Sequence, residues 1–277
     1  MFFTKMQGCG NDYIYVDGAK EKTENRPELS VRLSDRHFGI GSDGIIFIDP
    51  CDDADFEMHM YNADGSEAQM CGNGIRCVAK FVYDKGLTKK DTVSIKTGAG
   101  IKVLKLFVKD GKVFSVRVDM GIPITDPKLI PVDLSGDSIV SRPVMIGDKE
   151  YDITCVSMGN PHCVVFTDDV RSIDIEKTGP LFENNVIFPE RINTEFVHIT
   201  DRNNIEMRVW ERGSGETLAC GTGACASVVA CVINDLTDRK ATVKLTGGTL
   251  DIEYAQDGHV YMTGPAVTVY EGEICLK

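Results

Sequence analysis

The chain has 277 residues, 42% of them hydrophobic, and a formal net charge of −12 at pH 7. The length fits one large domain or two of ordinary size, and the apolar share is enough for two buried cores. The acidic balance argues against a nucleic-acid backbone or an anionic lipid surface as partner, though not against a small zwitterion in a locally different site.

In chain order, residues 2–17 read as a strand, a Gly8-Cys9-Gly10-Asn11 turn and a second strand. Pro27 to Arg36 reads as a short helix with proline in its first turn. Gly39 to Gly44 is a loop, and Ile45 to Ile48 and Phe56 to Tyr61 are strands. Asn62 to Met70 is polar and turn-rich. From Gly72 to Lys85 the apolar residues Ile75, Val78, Ala79 and Val82 fall on one helix face, and Gly86 stops it. Thr92 to Met120 reads as strands joined by a glycine turn and an Asp110-Gly111 hairpin. Pro123 to Pro131 reads as the crossing between two halves. Strands follow at Tyr151 to Met158 and Cys163 to Phe166, then a short helix at Leu181 to Asn185. Asn193 to Ile199 and Ile205 to Glu211 are strands. Gly221 to Asn234 is a second central helix, with Ala224, Val228, Val229 and Val232 inward. Hairpins close at Gly247-Gly248 and Asp257-Gly258, and the tail from Pro265 to Leu276 is β-like.

This plan is one unit used twice. Met70-Cys71-Gly72-Asn73-Gly74 returns as Ala219-Cys220-Gly221-Thr222-Gly223, with the two cysteines 149 residues apart. At the same offset Gly10-Asn11 becomes Gly159-Asn160, Asn62 becomes Glu211 and Gly44 becomes Asn193. The expected division is 1–120 plus 265–277 for the half carrying Cys71, and 121–264 for the half carrying Cys220.

Ten cysteines need a reason. The start, Met1-Phe2-Phe3-Thr4-Lys5, lacks a basic segment followed by a long apolar one, and no apolar run approaches membrane-spanning length. A cytoplasmic protein with reduced thiols is expected. Cys71/Cys77, Cys220/Cys225 and Cys225/Cys231 lack Cys-x2-Cys spacing, so no metal site is expected. Most cysteines are small buried hydrophobes; that reading is given to Cys77, Cys155, Cys163, Cys225, Cys231 and Cys275, and Cys9 is left open.

Cys71 and Cys220 stand apart because of their duplicated glycine context. A cysteine just before a helix faces unpaired backbone N–H groups, which favour thiolate over thiol and also bind an anion such as a carboxylate. The glycines let the backbone approach a ligand. Two such halves facing one another would place two sulfurs on opposite sides of one carbon. One thiolate then removes an α-proton and the other thiol returns one, inverting the centre without a cofactor. Each thiol needs a partner that adjusts its protonation, and His162 and Glu211 are the candidates. Singly, His162 and the asparagines 11, 62, 160 and 193 would read as structural; the shared offset favours a site. Glu67 and Glu216 are read as loop supports, outside the site.

Lys5 to Asp12, Asn62 to Glu67, Cys71 to Cys77, Met158 to Cys163, Glu211 to Thr217, Ala219 to Cys225 and Met262 to Ala266 closely resemble the diaminopimelate epimerase family. The resemblance implies interconversion of LL- and meso-2,6-diaminoheptanedioate without pyridoxal phosphate, in lysine biosynthesis. It implies that Cys71 and Cys220 are the acid/base pair, with His162 beside Cys71 and Glu211 beside Cys220. It implies that Gly72, Asn73, Gly221 and Thr222 bind the carboxylate at the reacting centre. Asn11, Asn62, Asn160, Asn193, Glu211 and Arg212 would hold the distal groups. It implies an α/β (α+β) fold of two pseudo-symmetric halves, each a barrel-like, mostly antiparallel sheet around a central helix, with the site in the cleft between. It also implies a homodimer with Tyr270 at the contact. Many relatives carry Gln where this chain has Gly44, and a water or a neighbouring group is expected to replace that side chain.

Two-thiol enzymes acting on proline or hydroxyproline are the nearest rival, but a His is expected there at Asn73. A thiol redox protein would want Cys-x-x-Cys. A binding module without chemistry would not need Cys71.

Overall fold

The computed structural model describes residues 1–276. The chain forms two compact units, Met1–Asp119 with Thr263–Lys277, and Met120–Met262. The elements are, in order, β1 (Phe2–Gly8), β2 (Asn11–Asp17), α1 (Arg26–Ser34), β3 (Gly44–Asp49), β4 (Phe56–Asn62), β5 (Glu67–Ala68), α2 (Gly72–Asp84), β6 (Thr92–Thr97), β7 (Gly100–Lys109) and β8 (Lys112–Gly121). There follow β9 (Arg142–Ile146), β10 (Lys149–Ser157), β11 (Pro161–Phe166), α3 (Ile175–Glu183), β12 (Asn193–Asp201), β13 (Asn204–Glu211) and β14 (Gly215–Thr217). The chain ends with α4 (Gly221–Ile233), β15 (Lys240–Leu245), β16 (Gly248–Tyr254), β17 (Val260–Pro265) and β18 (Val267–Glu273).

The strands of the two units are paired by one rule. In the first, β18 lies antiparallel to β1, β1 to β2, β2 runs parallel to β3, β3 antiparallel to β4, β4 parallel to β6, and β6 antiparallel to β7. In the second, β9 lies antiparallel to β10, β10 to β11, β11 runs parallel to β12, β12 antiparallel to β13, β13 parallel to β15, and β15 antiparallel to β16. The register repeats as well. Ile14 faces Ile45 in the first unit, and Cys163 faces Thr194 in the second, both residues moved by the same 149.

Each curled sheet wraps one helix. In α2 every residue from Gly72 to Val82 is buried, and in α4 so are Gly221 and Gly223 through Cys231. A helix buried on all sides needs partners all round. α2 packs on β1, β2 and β7; α4 packs on β10, β11, β12, β15 and β16. Glycines at both helix starts cost about 1 kcal/mol each in propensity. Burial of Ile75, Val78 and Val82, or of Val228 and Val229, returns about 1.5–3 kcal/mol per side chain, so packing holds these helices. A second core lies outside each sheet, with Leu29 and Leu33 of α1 against Phe47, and Phe182 of α3 against Phe196.

The structure corrects several sequence expectations. The short helix of the second unit is α3, starting at Ile175 rather than near Leu181. Gly179-Pro180 reads as a breaker, yet the glycine is there because the Trp210 ring packs on it; a Cβ would lie 2.3 Å from that ring. The strand β9 was not foreseen, nor were the short β5 and β14 in stretches read as turns. Cys275 is exposed, not buried. No described helix is long and apolar enough to cross a membrane.

Candidate active site

Cys71 is the N-cap of α2. Its backbone is extended (φ −135°, ψ 121°) and its sulfur accepts the Gly74 N–H at 3.3 Å. Cys220 caps α4 in the same way (φ −113°, ψ 113°), accepting the Gly223 N–H at 3.4 Å. A side-chain acceptor at this place satisfies an orphan helix N–H and sits in the positive end of the helix dipole.

In the first unit, the Cys71 thiol donates to Oδ1 of Asn11 at 3.2 Å. Nδ2 of Asn11 donates to Asp43 at 2.8 Å, and Asp43 is paired with Arg36 at 2.9 Å. Arg36 also pairs with Asp12 at 2.9 Å, and Lys5 pairs with Asp12. Asn11 is thus held by a charged network whose key member, Asp43, the sequence reading missed. Arg76 is fully buried in α2. Its guanidinium donates to Oδ1 of Asn73 at 2.9 Å, to the Gly72 carbonyl at 2.9 Å and to the Pro265 carbonyl at 3.1 Å. It therefore braces the two residues expected to present backbone N–H groups to a carboxylate. Nδ2 of Asn62 donates to the Ser66 hydroxyl at 3.0 Å.

Gly44 has no room for a side chain. A Cβ there would lie 2.1 Å from the Tyr61 carbonyl oxygen and 3.0 Å from Cα of Asn62. Glycine here follows from the close approach of β4, so the position is not a polar site residue trimmed to glycine on an unchanged backbone.

In the second unit, His162 and Glu195 are both fully buried, with Nδ1 and Oε1 2.7 Å apart. Nε2 of His162 meets Oδ1 of Asn160 at 3.0 Å, and Nδ2 of Asn160 donates to the Thr222 hydroxyl at 3.3 Å. Thr222 Oγ1 lies 3.5 Å from the Cys220 sulfur. Glu211 accepts from the Thr217 hydroxyl. Asn193 uses its side chain on backbone, donating to Pro161 O at 2.7 Å and accepting from Arg212 N–H at 2.9 Å. The Arg212 guanidinium donates to Glu190 O at 2.9 Å. Glu216, read as a loop support, pairs with Arg208 at 2.7 Å, and Glu67 is exposed.

The protonation of Cys220 differs from the expectation of a lowered thiol. Burial pushes it well up, and the carboxyls of Glu211 and Glu195 push it further; the Thr222 hydroxyl and the Gly223 N–H pull it down without winning. Burial also raises Glu211, against the Thr217 hydroxyl, while Glu195 raises it further and His162 and Cys220 lower it. Cys220, Glu211, Glu195 and His162 are thus one electrostatic cluster. Glu195 was not foreseen. Its one signal was a charge inside an otherwise unbroken strand of buried residues, Asn193 to Val197.

The two-unit α/β fold defines a structural class, and solved structures of that fold match over nearly the whole chain. A phenazine biosynthesis protein of the PhzF family from Bacillus anthracis matches with a TM-score of 0.69 at 16% identity, over 100% of this chain and 99% of that one. A hydroxyproline epimerase from Agrobacterium vitis matches with a TM-score of 0.67 at 14% identity, over 99% and 90%. Within that class the assignment is specific. The family model described as diaminopimelate epimerase matches residues 3–125 and 154–269. Proteins named diaminopimelate epimerase from Agathobacter rectalis and Acetivibrio thermocellus are 58% and 57% identical, over 99% and 100% of this chain and 99% of each relative. The chain belongs to the diaminopimelate epimerase family.

Proposed function

We propose that this chain, an isomerase, interconverts LL- and meso-2,6-diaminoheptanedioate in lysine biosynthesis, moving a proton at the α-carbon between two thiols without pyridoxal phosphate. The observation that carries this reading is the duplicated cap. Two cysteines, 149 residues apart, each accept the N–H three residues on at the head of a buried helix.

The chemistry asks for one thiolate and one thiol. The thiolate takes the α-proton and becomes a thiol. The charge left on carbon spreads into the neighbouring carboxylate, where first-turn N–H groups at Gly72, Asn73, Gly221 and Thr222 stabilise it. The other thiol then gives its proton to the opposite face and becomes the thiolate. Burial first, and the Glu211 carboxyl next, raise the Cys220 thiol, so Cys220 is assigned the acid, and Cys71, once it has given up the proton it shares with Asn11, is assigned the base. Asn11, Asn62, Asn160, Asn193, Glu211 and Arg212 are assigned to the distal ammonium and carboxylate. A site built around such groups rejects analogues that lack them.

The test is α-hydrogen exchange in heavy water with pure stereoisomers. Wild type exchanges diaminopimelate and not proline. Cys71→Ser and Cys220→Ser each lose about 10²–10⁴-fold, the range of a positioned acid or base. Exchange of proline alone, or unimpaired exchange by either variant, rejects the reading. We extend it to a cytoplasmic homodimer through β18, where Tyr270 stands edge-on to Phe3 at 5.9 Å and is 44% exposed. Light scattering of Tyr270→Ala at low concentration checks that extension, with a monomer expected.

A further inference from the structure

We propose that Glu195 sets the direction of a hydrogen-bond chain ending at the sulfur of Cys220, and is thereby a positioning residue for the reaction; this rests on the two-thiol reading above. The chain lies wholly within the second unit. It runs from Glu195 Oε1 to His162 Nδ1 (2.7 Å), from His162 Nε2 to Asn160 Oδ1 (3.0 Å), from Asn160 Nδ2 to Thr222 Oγ1 (3.3 Å), and from Thr222 Oγ1 to Cys220 Sγ (3.5 Å).

The direction follows from what each atom is able to donate. Oδ1 of Asn160 only accepts, so the proton of that contact is on Nε2 of His162. The Thr222 oxygen accepts from Asn160, which leaves the threonine proton for the Cys220 sulfur. A thiolate forming at Cys220 then meets an O–H donor as well as the Gly223 N–H.

Glu195 is what holds Nε2 protonated. One proton lies between its Oε1 and Nδ1. The pair is either imidazole with carboxylic acid or imidazolium with carboxylate; both forms hold two protons and no net charge, and both keep Nε2–H. The buried Oε2 of Glu195 has no hydrogen-bond partner, which would make an isolated carboxylate costly there. The other titratable groups facing the pair are Cys220 at the head of α4, Glu211 on β13 and Cys163 on β11, which itself meets Cys155 of β10. None is a cation, so none substitutes for the shared proton. Without the carboxyl, a neutral His162 is free to carry its proton on Nδ1. Nε2 would then accept, the Asn160 amide would turn over, and Thr222 would donate to Asn160 instead of to sulfur.

The experiment compares the full chain with Glu195→Gln, Thr222→Val and the double variant. It reads the alkylation rate of Cys220 by peptide mass spectrometry across pH, and kcat and KM for diaminopimelate exchange. Each single variant is expected to slow Cys220 alkylation roughly tenfold at fixed pH, as loss of one charge-assisted donor does. The value of kcat falls in parallel with KM within about twofold, and the double variant is no worse than Thr222→Val, because both act through one chain. Additive losses, or an unchanged Cys220 rate in Glu195→Gln, overturn the proposal. Should Glu195→Gln fail to fold, nitrogen-15 spectra of His162 in wild type decide. Protonated Nε2 with a shared Nδ1 proton upholds the chain, and bare Nε2 rejects it. A wild type that exchanges no diaminopimelate would reject the proposed function, while the alkylation rates would still judge the chain.

Discussion

Beneath the first turn of α2 the protein places Ile46; beneath the first turn of α4, at the equivalent position, it places Glu195. A Cβ on Gly74 would lie 2.9 Å from Cδ1 of Ile46, and one on Gly223 would lie 2.6 Å from Oε1 of Glu195. The two helices are each 13 residues long and capped alike, so the backbone has been kept and the charge changed. The first unit buries a cation, Arg76, where the second has Cys225 at the same offset. The second buries Glu195 and the ring of His162 and half-buries Glu211, where the first has Ile46, Tyr13 and Asn62. The guanidinium pulls the thiols of Cys9 and Cys77 down, although burial wins at both, whereas at Cys220 the Glu211 carboxyl adds to the rise that burial causes. A proton-transfer reaction that runs through two sulfurs needs one thiolate and one thiol when it begins, since two thiols supply no base and two thiolates supply no acid.

The largest expected effect comes from removing the cation. Arg76→Met loses the donors to Asn73, Gly72 and Pro265 from inside the core. Hydrogen bonds from a charged group contribute about 1.5–3 kcal/mol each, and relief of the buried charge offsets part of that. A net loss of about 3 kcal/mol in urea unfolding is expected on this basis. Iodoacetamide should also label Cys71 more slowly in the variant. Unchanged labelling with full stability would mean that Arg76 is not what distinguishes the first cap.

Much of this comparison was legible in the sequence because self-similarity is insensitive to the details of either copy. The repeat of Cys-Gly-x-Gly, the two central helices and the offset linking Asn11 to Asn160 need no tertiary information. The charge inequality was hidden for physical reasons. Arg76 directly follows Ile75, and a one-faced helix would turn it to solvent; only a sheet curled fully around α2 buries it. Glu195 sits in a strand covered on both faces, where alternation carries no signal. Asp43 reads as a loop residue until the fold brings it to Asn11. The start of α3 was masked by Gly179-Pro180, whose glycine answers to a tryptophan on another strand.

A paired substitution tests whether the two first turns really differ underneath. Alanine gains about 1 kcal/mol over glycine in a helix interior. In Gly74→Ala the added methyl meets the tip of Ile46, which is able to rotate, so stability is expected to stay within about 0.5 kcal/mol of wild type, the usual scatter for substitutions that break no named feature. In Gly223→Ala it meets a carboxyl tied to His162 at 2.7 Å. Displacing that bond costs about 1.5–3 kcal/mol, so a net loss of roughly 1 kcal/mol and a fall in kcat are expected. Equal behaviour of the two variants in urea midpoints would remove the basis for treating Glu195 as fixed.

The smallest effect concerns the pH dependence of the second unit. Glu211 has a carboxyl raised above its ordinary value of 4.5, by burial first and by Glu195 next. A group whose folded-state pKa is raised stabilises the fold below its unfolded pKa and loses that contribution as pH rises through the folded value. Glu211→Gln keeps a neutral side chain at every pH, and its carbonyl still accepts from Thr217. The variant is therefore expected to outlast wild type in urea at pH 8, with the difference closing as pH falls and absent below about 4.3, the unfolded glutamate value. The first unit carries the built-in control, because its equivalent residue, Asn62, is already an amide, and Asn62→Gln should show no such pH-dependent gain. A Glu211→Gln protein less stable than wild type at both ends of the range would mean that Glu211 is held as a carboxylate by attraction, and the picture of an acid-rich second cap with a resting thiol would have to be redrawn.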